Sequence, residues 1–258
     1  MSNFRQYSAY YDLLYAKKDY GAEADYVARV LRGANSTVRT VLELGSGTGR
    51  HGRLLANLAL EVHGVERSAE MAMHAARRTA RSGNEGLFSC EVGDLRAFRA
   101  DRHFDAVISL FHVISYQTTD DDLRAAFQTA AAHLGTDGLF LFDVWHGPAV
   151  LAQRPEPRTK EVTDARRRVR RSATPILDAE SGTVRVAYEM DCEDFEAGDR
   201  VRFGEEHLMR YLFPTEIDRL AREAGFDIVH SEEFLTGAAP SAATWGVAYL
   251  ARKLDQPR

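Results

Sequence analysis

Cysteine is nearly absent: Cys90 and Cys192 are the only two in 258 residues, too few for a disulfide framework or a zinc knuckle. No run approaches the ~18 apolar residues of a membrane span. The polar start at Ser2 and Asn3 lacks the apolar stretch of a secretory leader. Basic charge is also short. Lys and Arg number 33 against 38 Asp and Glu, a net charge of −5, which argues against a groove that neutralises duplex phosphates. The acidic group Asp191, Glu193, Asp194 and Glu196 has no histidine beside it, so no metal is expected there. Internal repeats and low-complexity segments are missing too. These absences leave a cytoplasmic protein without a nucleic-acid or membrane partner. Its 45% apolar and 28% charged content is ordinary for a globule. Its length suits one α/β domain with an added lobe, or two small domains.

The chain is organised around Val41-Leu42-Glu43-Leu44-Gly45-Ser46-Gly47-Thr48-Gly49-Arg50-His51. An apolar strand breaks at three alternate glycines, and a helical pattern runs from Arg50 to Leu60. Without Cβ atoms the backbone can turn sharply and approach a ligand closely, and the helix then points its free N–H groups at that ligand. A Walker loop needs Lys-Ser or Lys-Thr after its last glycine, which is absent. The dinucleotide G-x-G-x-x-G fails at Arg50. Glu43, at the strand's carboxyl end, would repel a pyrophosphate and welcome a cation.

Before this turn, Phe4, Tyr7, Tyr10, Tyr11, Leu14 and Tyr15 form a helical stripe, and Asp19 can cap a second helix from Tyr20 to Leu31. Such a tyrosine-rich piece suits either a packed helix or a lid over a bound ligand. After the turn, strands are expected at 61–66, 87–92, 104–110 and 139–144, alternating with helices. One helix is capped by Ser68 and ends near Gly83. Another is capped by Thr118 or Thr119 and runs through Leu134, closed by Gly135. Glu66 lies 21 positions beyond Gly45, where doubly wound sheets place an acid for ribose hydroxyls. Asp94 and Leu95 follow the third strand, an acid and an apolar face suited to adenine. Between Pro155 and Phe213 the pattern turns to period two, with Val184, Val186, Tyr188 and Met190 on one face. This predicts an antiparallel insert. Pro214 opens a helix to Glu223, and two final strands complete a seven-stranded sheet.

The order of these elements, with Glu43-Leu44-Gly45-Ser46-Gly47-Thr48-Gly49, Glu66-Arg67-Ser68-Ala69-Glu70-Met71 and Gly93-Asp94-Leu95, resembles a class I S-adenosylmethionine-dependent methyltransferase. The fold this implies is a doubly wound α/β sheet of order 3-2-1-4-5-7-6 with an antiparallel insert after the fifth strand. The expected divisions are a helical lid at 1–32, a cofactor domain at 33–150 and 214–258, and an insert at 151–213 serving as acceptor cap or dimer surface. Among subfamilies the chain is most similar to bacterial nucleotide-deoxyaminosugar N,N-dimethyltransferases, through Tyr11-Asp12-Leu13, Phe111 to Ser115 and the insert. It departs from them at Tyr116, where those enzymes place a histidine.

The resemblance implies a cofactor site of Tyr11, Glu43, Gly45, Ser46, Gly47, Glu66, Arg67, Met71, Asp94, Leu95 and the Leu110 carbonyl. The cofactor is S-adenosylmethionine, released as S-adenosylhomocysteine, and no metal is implied. The acceptor would be the amino group of a nucleotide sugar, and the enzyme a homodimer. Candidate catalytic residues at the sheet's carboxyl edge are His112 and Tyr116, with Tyr7, Trp145 and His146 as candidate acceptor contacts. Arg166, Arg167, Arg168, Arg170 and Arg171 suit either a solvated edge strand or a grip on a sugar-nucleotide diphosphate. Competing readings are an O-methyltransferase and a module that binds the cofactor without transferring its methyl group.

Overall fold

The computed structural model describes residues 7–82 and 86–255. Phe4 and Gly83, part of the expected stripe and of an expected helix end, lie outside them. The sheet strands are β1 (Thr40–Leu44), β2 (Glu61–Glu66), β3 (Phe88–Val92), β4 (Phe104–Ser109) and β5 (Leu134–Trp145). The insert holds β6 (Arg158–Thr163), β7 (Arg167–Asp178), β8 (Thr183–Asp194) and β9 (Asp199–Arg210), and β10 (Phe226–Glu233) and β11 (Gly246–Lys253) return to the sheet. The helices are α1 (Ser8–Leu14), α2 (Tyr20–Ala34), α3 (Arg50–Asn57), α4 (Ala69–Ser82), α5 (Asp120–Ala132), α6 (Gly147–Gln153) and α7 (Pro214–Glu223).

The main sheet runs β10-β11-β5-β4-β1-β2-β3, the expected order with β11 and β10 as its seventh and sixth strands. β1 through β5 pair in parallel, while β11 is antiparallel to both β5 and β10. Both faces are covered, which is why these strands read as continuous apolar runs. Leu42, Leu44, Val107, Phe140 and Phe142 face α5 and α7. Val41, Ala106, Ile108, Leu139 and Leu141 face α2 and α3. Strand order reverses between β1 and β4, and a crevice opens there at the carboxyl ends.

The boundary between α5 and β5 differs from expectation. α5 stops at Ala132 rather than Leu134, and Gly135 lies inside β5. His133 takes the helix end, donating from Nδ1 to the Thr129 carbonyl (2.8 Å) and accepting the Ala100 amide at Nε2 (2.8 Å). The second helix belongs to the α/β layer, since Ala24, Val27 and Leu31 pack under the sheet.

The insert is a four-stranded antiparallel sheet, β6-β7-β8-β9; the short, polar β6 gave no alternation to read. Because β6 covers β7, the arginine-rich strand is interior, not an edge. Arg168 of β7 and Arg166 just before it meet the acids of the next hairpin: Arg168–Glu193 at 2.7 Å and Arg166–Glu196 at 3.3 Å. On the inner face Val184 and Val186 join Val150 and Tyr211, while Val169 and Met190 receive Tyr7 and Leu14 of the first helix. α1 thus packs on the insert. Asp12 ties it back to the glycine turn, accepting from Thr48 Oγ1 (2.9 Å) and Arg50 Nε (3.1 Å).

Candidate active site

A cavity of about 630 Å³ lies where the sheet order reverses, roofed by α1 and the inner face of the insert, in the range of small-molecule sites. The glycine turn forms its floor. Gly45, Gly47 and Gly49 have φ of +81°, +57° and +72°, a region that disfavours side chains. A Cβ at Gly45 would stand 2.5 Å from Val113 Cγ1, whereas one at Gly47 would meet nothing within 4 Å. Gly45 and Ser46 N–H groups donate to the Val65 carbonyl at 2.8 and 3.1 Å, stitching the turn to β2. Glu66 completes it. Oε2 accepts the Gly47 amide and Oε1 the Ser68 amide, both at 2.8 Å. Burial pushes its carboxyl above the ordinary range against those backbone bonds.

Of the expected cofactor residues, Tyr11, Gly45, Ser46, Gly47, Glu66, Arg67, Met71, Asp94, Leu95 and Leu110 all line the cavity. Glu43 does not. It is 1% exposed, beneath the turn, and burial raises its pKa to about 8. Its Oε2 is buried without a hydrogen-bond partner among the described residues, and His51 Nδ1 stands 3.9 Å from Oε1. Glu43 therefore makes no contact with the cavity. Asp94 is engaged with Arg96, whose Nε donates at 2.9 Å, and Arg96 reaches on to Asp122 at 2.7 Å. The Arg96 hydrogen bonds hold the Asp94 carboxyl below its ordinary range.

The opposite end of the cavity is built on strain. Phe111 and His112, just past β4, have φ of +65° and +62°, which costs on the order of 1–3 kcal/mol for each such residue. Buried Asp143 holds this bend by accepting the His112 amide at 3.1 Å. His112 Nδ1 stands 2.7 Å from Asp143 Oδ2, an ion-pair distance without hydrogen-bond geometry. The imidazole lies 6.3 Å from the Trp145 ring, edge to face.

Tyr116 sits in a short 3-10 turn (Ile114–Tyr116), with its hydroxyl 2.8 Å from His207 Nδ1 on β9. Tyr7, Tyr11 and Tyr15 descend from α1 and its end, with Arg171 Nη1 donating to Tyr7 (2.7 Å) and Tyr15 (3.1 Å) hydroxyls.

The structure thus brings Tyr7, Tyr11, His112, Tyr116 and Trp145 to one cavity, together with the turn residues. His146 is excluded from it. It is 4% exposed, takes the N-cap position of α6 and bridges to Leu212, because the strand turns its side chain away from the crevice. None of the arginines 166, 167, 168, 170 and 171 lines the cavity. Residues not expected there are Thr48, Arg50, Arg96, Tyr188 and His207. Tyr188 belonged to a visible alternating face, but no local signal pointed His207 toward a site 91 residues before it.

Residues 41–138 match the family described as a methyltransferase domain. A dTDP-3-amino-3,4,6-trideoxy-alpha-D-glucopyranose N,N-dimethyltransferase of Streptomyces venezuelae is 33% identical over 144 residues, 55% of this chain and 58% of that protein. A dTDP-3-amino-3,6-dideoxy-alpha-D-glucopyranose N,N-dimethyltransferase of Streptomyces fradiae is 34% identical over 140 residues, 54% and 52% of the two chains. The match therefore spans little more than half the length of these relatives. Among solved structures, an S-adenosylmethionine-bound amino pentose methyltransferase from Micromonospora echinaspora is 25% identical. Each chain is 98% covered, with a TM-score of 0.76. An S-adenosylmethionine-dependent methyltransferase from Clostridium acetobutylicum shares the fold at a TM-score of 0.82 and 21% identity, covering 97% of this chain and 98% of that one.

Proposed function

We propose that this chain, a class I methyltransferase by fold with a methyltransferase domain at residues 41–138, moves methyl groups from S-adenosylmethionine to the amino group of a nucleotide-linked deoxyaminosugar. The observation that carries the reading is the single cavity joining the glycine turn to the aromatic face of the insert. It has one end for a nucleoside and a cation, and another for an acceptor.

The turn suits the cofactor. Buried Glu43, with one oxygen unpaired among the described residues, would ionise more readily beside a cation. Open space at Gly47 allows close approach of a ligand. Glu66 keeps free lone pairs for ribose hydroxyls, and Leu95 and Met71 supply an apolar slot for a base. S-adenosylmethionine, when bound, supplies a methyl group already activated by its sulfonium. The chain's contribution is then alignment and exclusion of water, effects worth up to ~7–11 kcal/mol. Tyr7, Tyr11 and Tyr15 close the roof, the strained Phe111–His112 bend shapes the acceptor wall, and Tyr116 offers a hydroxyl to the acceptor's N–H.

The names of the relatives support an amino-sugar acceptor and, with it, a biosynthetic role. No helix among the described residues is long and apolar enough to cross a membrane. We take a cytoplasmic location from the sequence and a homodimer from the resemblance, and sedimentation would check the assembly. A second reading rests on His112 beside Asp143. A histidine so placed is the base a hydroxyl acceptor needs, so O-methylation is the alternative.

The deciding experiment incubates the protein with methyl-labelled S-adenosylmethionine and matched amino and hydroxyl deoxysugar nucleotides, read by mass. Gains of one and two methyl groups on the amino sugars alone are expected. Gains on the hydroxyl sugars alone would replace the reading with O-methylation. Tight cofactor binding with no transfer to any of them would overturn the sugar acceptor.

A further inference from the structure

Phe111 and His112 both hold left-handed backbone, and such strain persists only where neighbours over-determine it. Asp143 of β5 braces His112. Phe111 has a brace of its own, from the turn that joins α1 to α2. The Lys18 ammonium lies 4.2 Å from the centre of the Phe111 ring and 4.2 Å from that of Tyr20. Tyr15, at the start of the same turn, meets Phe111 edge to face at 5.1 Å. Tyr15, Tyr20 and Phe111 all line the cavity, and Lys18 does not.

The ammonium is anchored from the other side. Its side chain is 15% exposed and pairs with Glu23 of α2. Glu23 is buried, and its Oε2 also meets His51 Nε2 at 2.6 Å. His51, the second residue of α3, lines the cavity beside the glycine turn. Burial works against the Lys18 charge, while Glu23 and then Asp143 favour it. A cation so held attracts the face of an aromatic ring. One buried relay therefore runs from the helix behind the glycine turn, through Glu23 and Lys18, to the strained bend. It spans the two ends of the cavity.

We propose that Lys18 is a positioning residue that fixes the spacing between the cofactor floor and the acceptor wall. In-line displacement needs the acceptor's lone pair directly behind the methyl group, and a misplacement of about 1 Å can cost ~10²-fold. Without the ammonium the strained bend can relax and carry the Phe111 ring with it. The relay holds that ring at one distance from the glycine turn. This inference rests on methyl transfer within the cavity, whichever acceptor atom receives the group.

The test pairs fluorine NMR with kinetics. In cofactor-free protein labelled with fluorophenylalanine, the Phe111 signal is the one missing from Phe111→Tyr. It should shift in Lys18→Met and return toward its original position in Lys18→Arg, which keeps a cation over the ring. An unmoved signal in Lys18→Met would overturn the proposal whatever the enzyme acts on. With the acceptor that the wild type methylates, Lys18→Met should lower kcat roughly 10- to 100-fold, with S-adenosylmethionine affinity little changed by calorimetry. Lys18→Arg should recover most of that loss. Lys18→Met also takes a partner from the buried Glu23 carboxylate, so its melting temperature should fall. Adding Glu23→Gln removes that charge and should restore the melting temperature but not kcat. Recovery of both together would reduce Lys18 to a stabilising ion pair and sink the proposal, as would full kcat in Lys18→Met. Should the wild type methylate no acceptor, the acceptor reading fails, and the fluorine signal still decides the brace.

Discussion

Glu66 Oε2 accepts the Gly47 amide at 2.8 Å while Oε1 accepts that of Ser68, so one carboxylate holds both the glycine turn and the start of α4. Replacing it with glutamine places an NH₂ against one of two backbone N–H donors. Glu66→Gln should weaken S-adenosylmethionine binding by about 1–3 kcal/mol, the usual effect of an unsatisfied buried donor. Calorimetry checks this, and unchanged affinity would remove Glu66 from the site.

Two glycines of the turn should separate by measurement. Gly45→Ala combines a left-handed backbone with a 2.5 Å clash on Val113, and should lose at least ~1–2 kcal/mol of stability from the backbone conformation alone. Gly47→Ala meets no neighbour, so it should cost only that conformational part yet weaken cofactor binding by filling the approach. Thermal melting and calorimetry on both variants test the contrast. Equal effects on both quantities would contradict it.

Glu43 makes stability depend on pH in a direction fixed by its burial. Its folded pKa is raised, so the contribution is fully present below the ordinary carboxylate value of 4.5 and lost as pH rises through about 8. The cofactor-free protein should therefore melt lower as pH climbs across that window. Glu43→Gln should flatten the slope, and S-adenosylmethionine should oppose it by placing a cation near the carboxylate. Melting curves at several pH values decide.

His112→Asn separates the two acceptor chemistries. Asparagine tolerates the left-handed backbone at this position, so the bend survives while the imidazole is lost. An amine acceptor should lose less than about tenfold in kcat, since its attack needs no strong base. A hydroxyl acceptor should lose the full ~10²–10⁴-fold of a general base. Initial rates on both acceptor types give the answer.

Much of the α/β domain was legible in the chain because its signals are local. The turn 45–49, Glu66 and Asp94 each lie at or just past a strand's carboxyl end, and parallel alternation brings all such ends to one edge. That is why ten of the expected cofactor residues line one cavity. Glu43 escaped because a strand-end side chain can point either along the crevice or beneath the turn, and spacing does not distinguish the two. His146 escaped likewise, buried at the N-cap position of α6.

The amino-acid sequence by itself determined the sheet and its glycine turn, because hydrophobic period and glycine position act within a few residues. Only the tertiary structure decided which side chains of the insert line the cavity. Antiparallel pairing of β8 with β9 sets His207 opposite Val186, α1 folds onto the insert rather than the sheet, and contacts between residues 7, 116, 171 and 207 depend on packing that no local pattern encodes. Long-range side-chain encounters are settled by which apolar faces bury together, so the Tyr116–His207 contact exists only once the insert packs over the crevice.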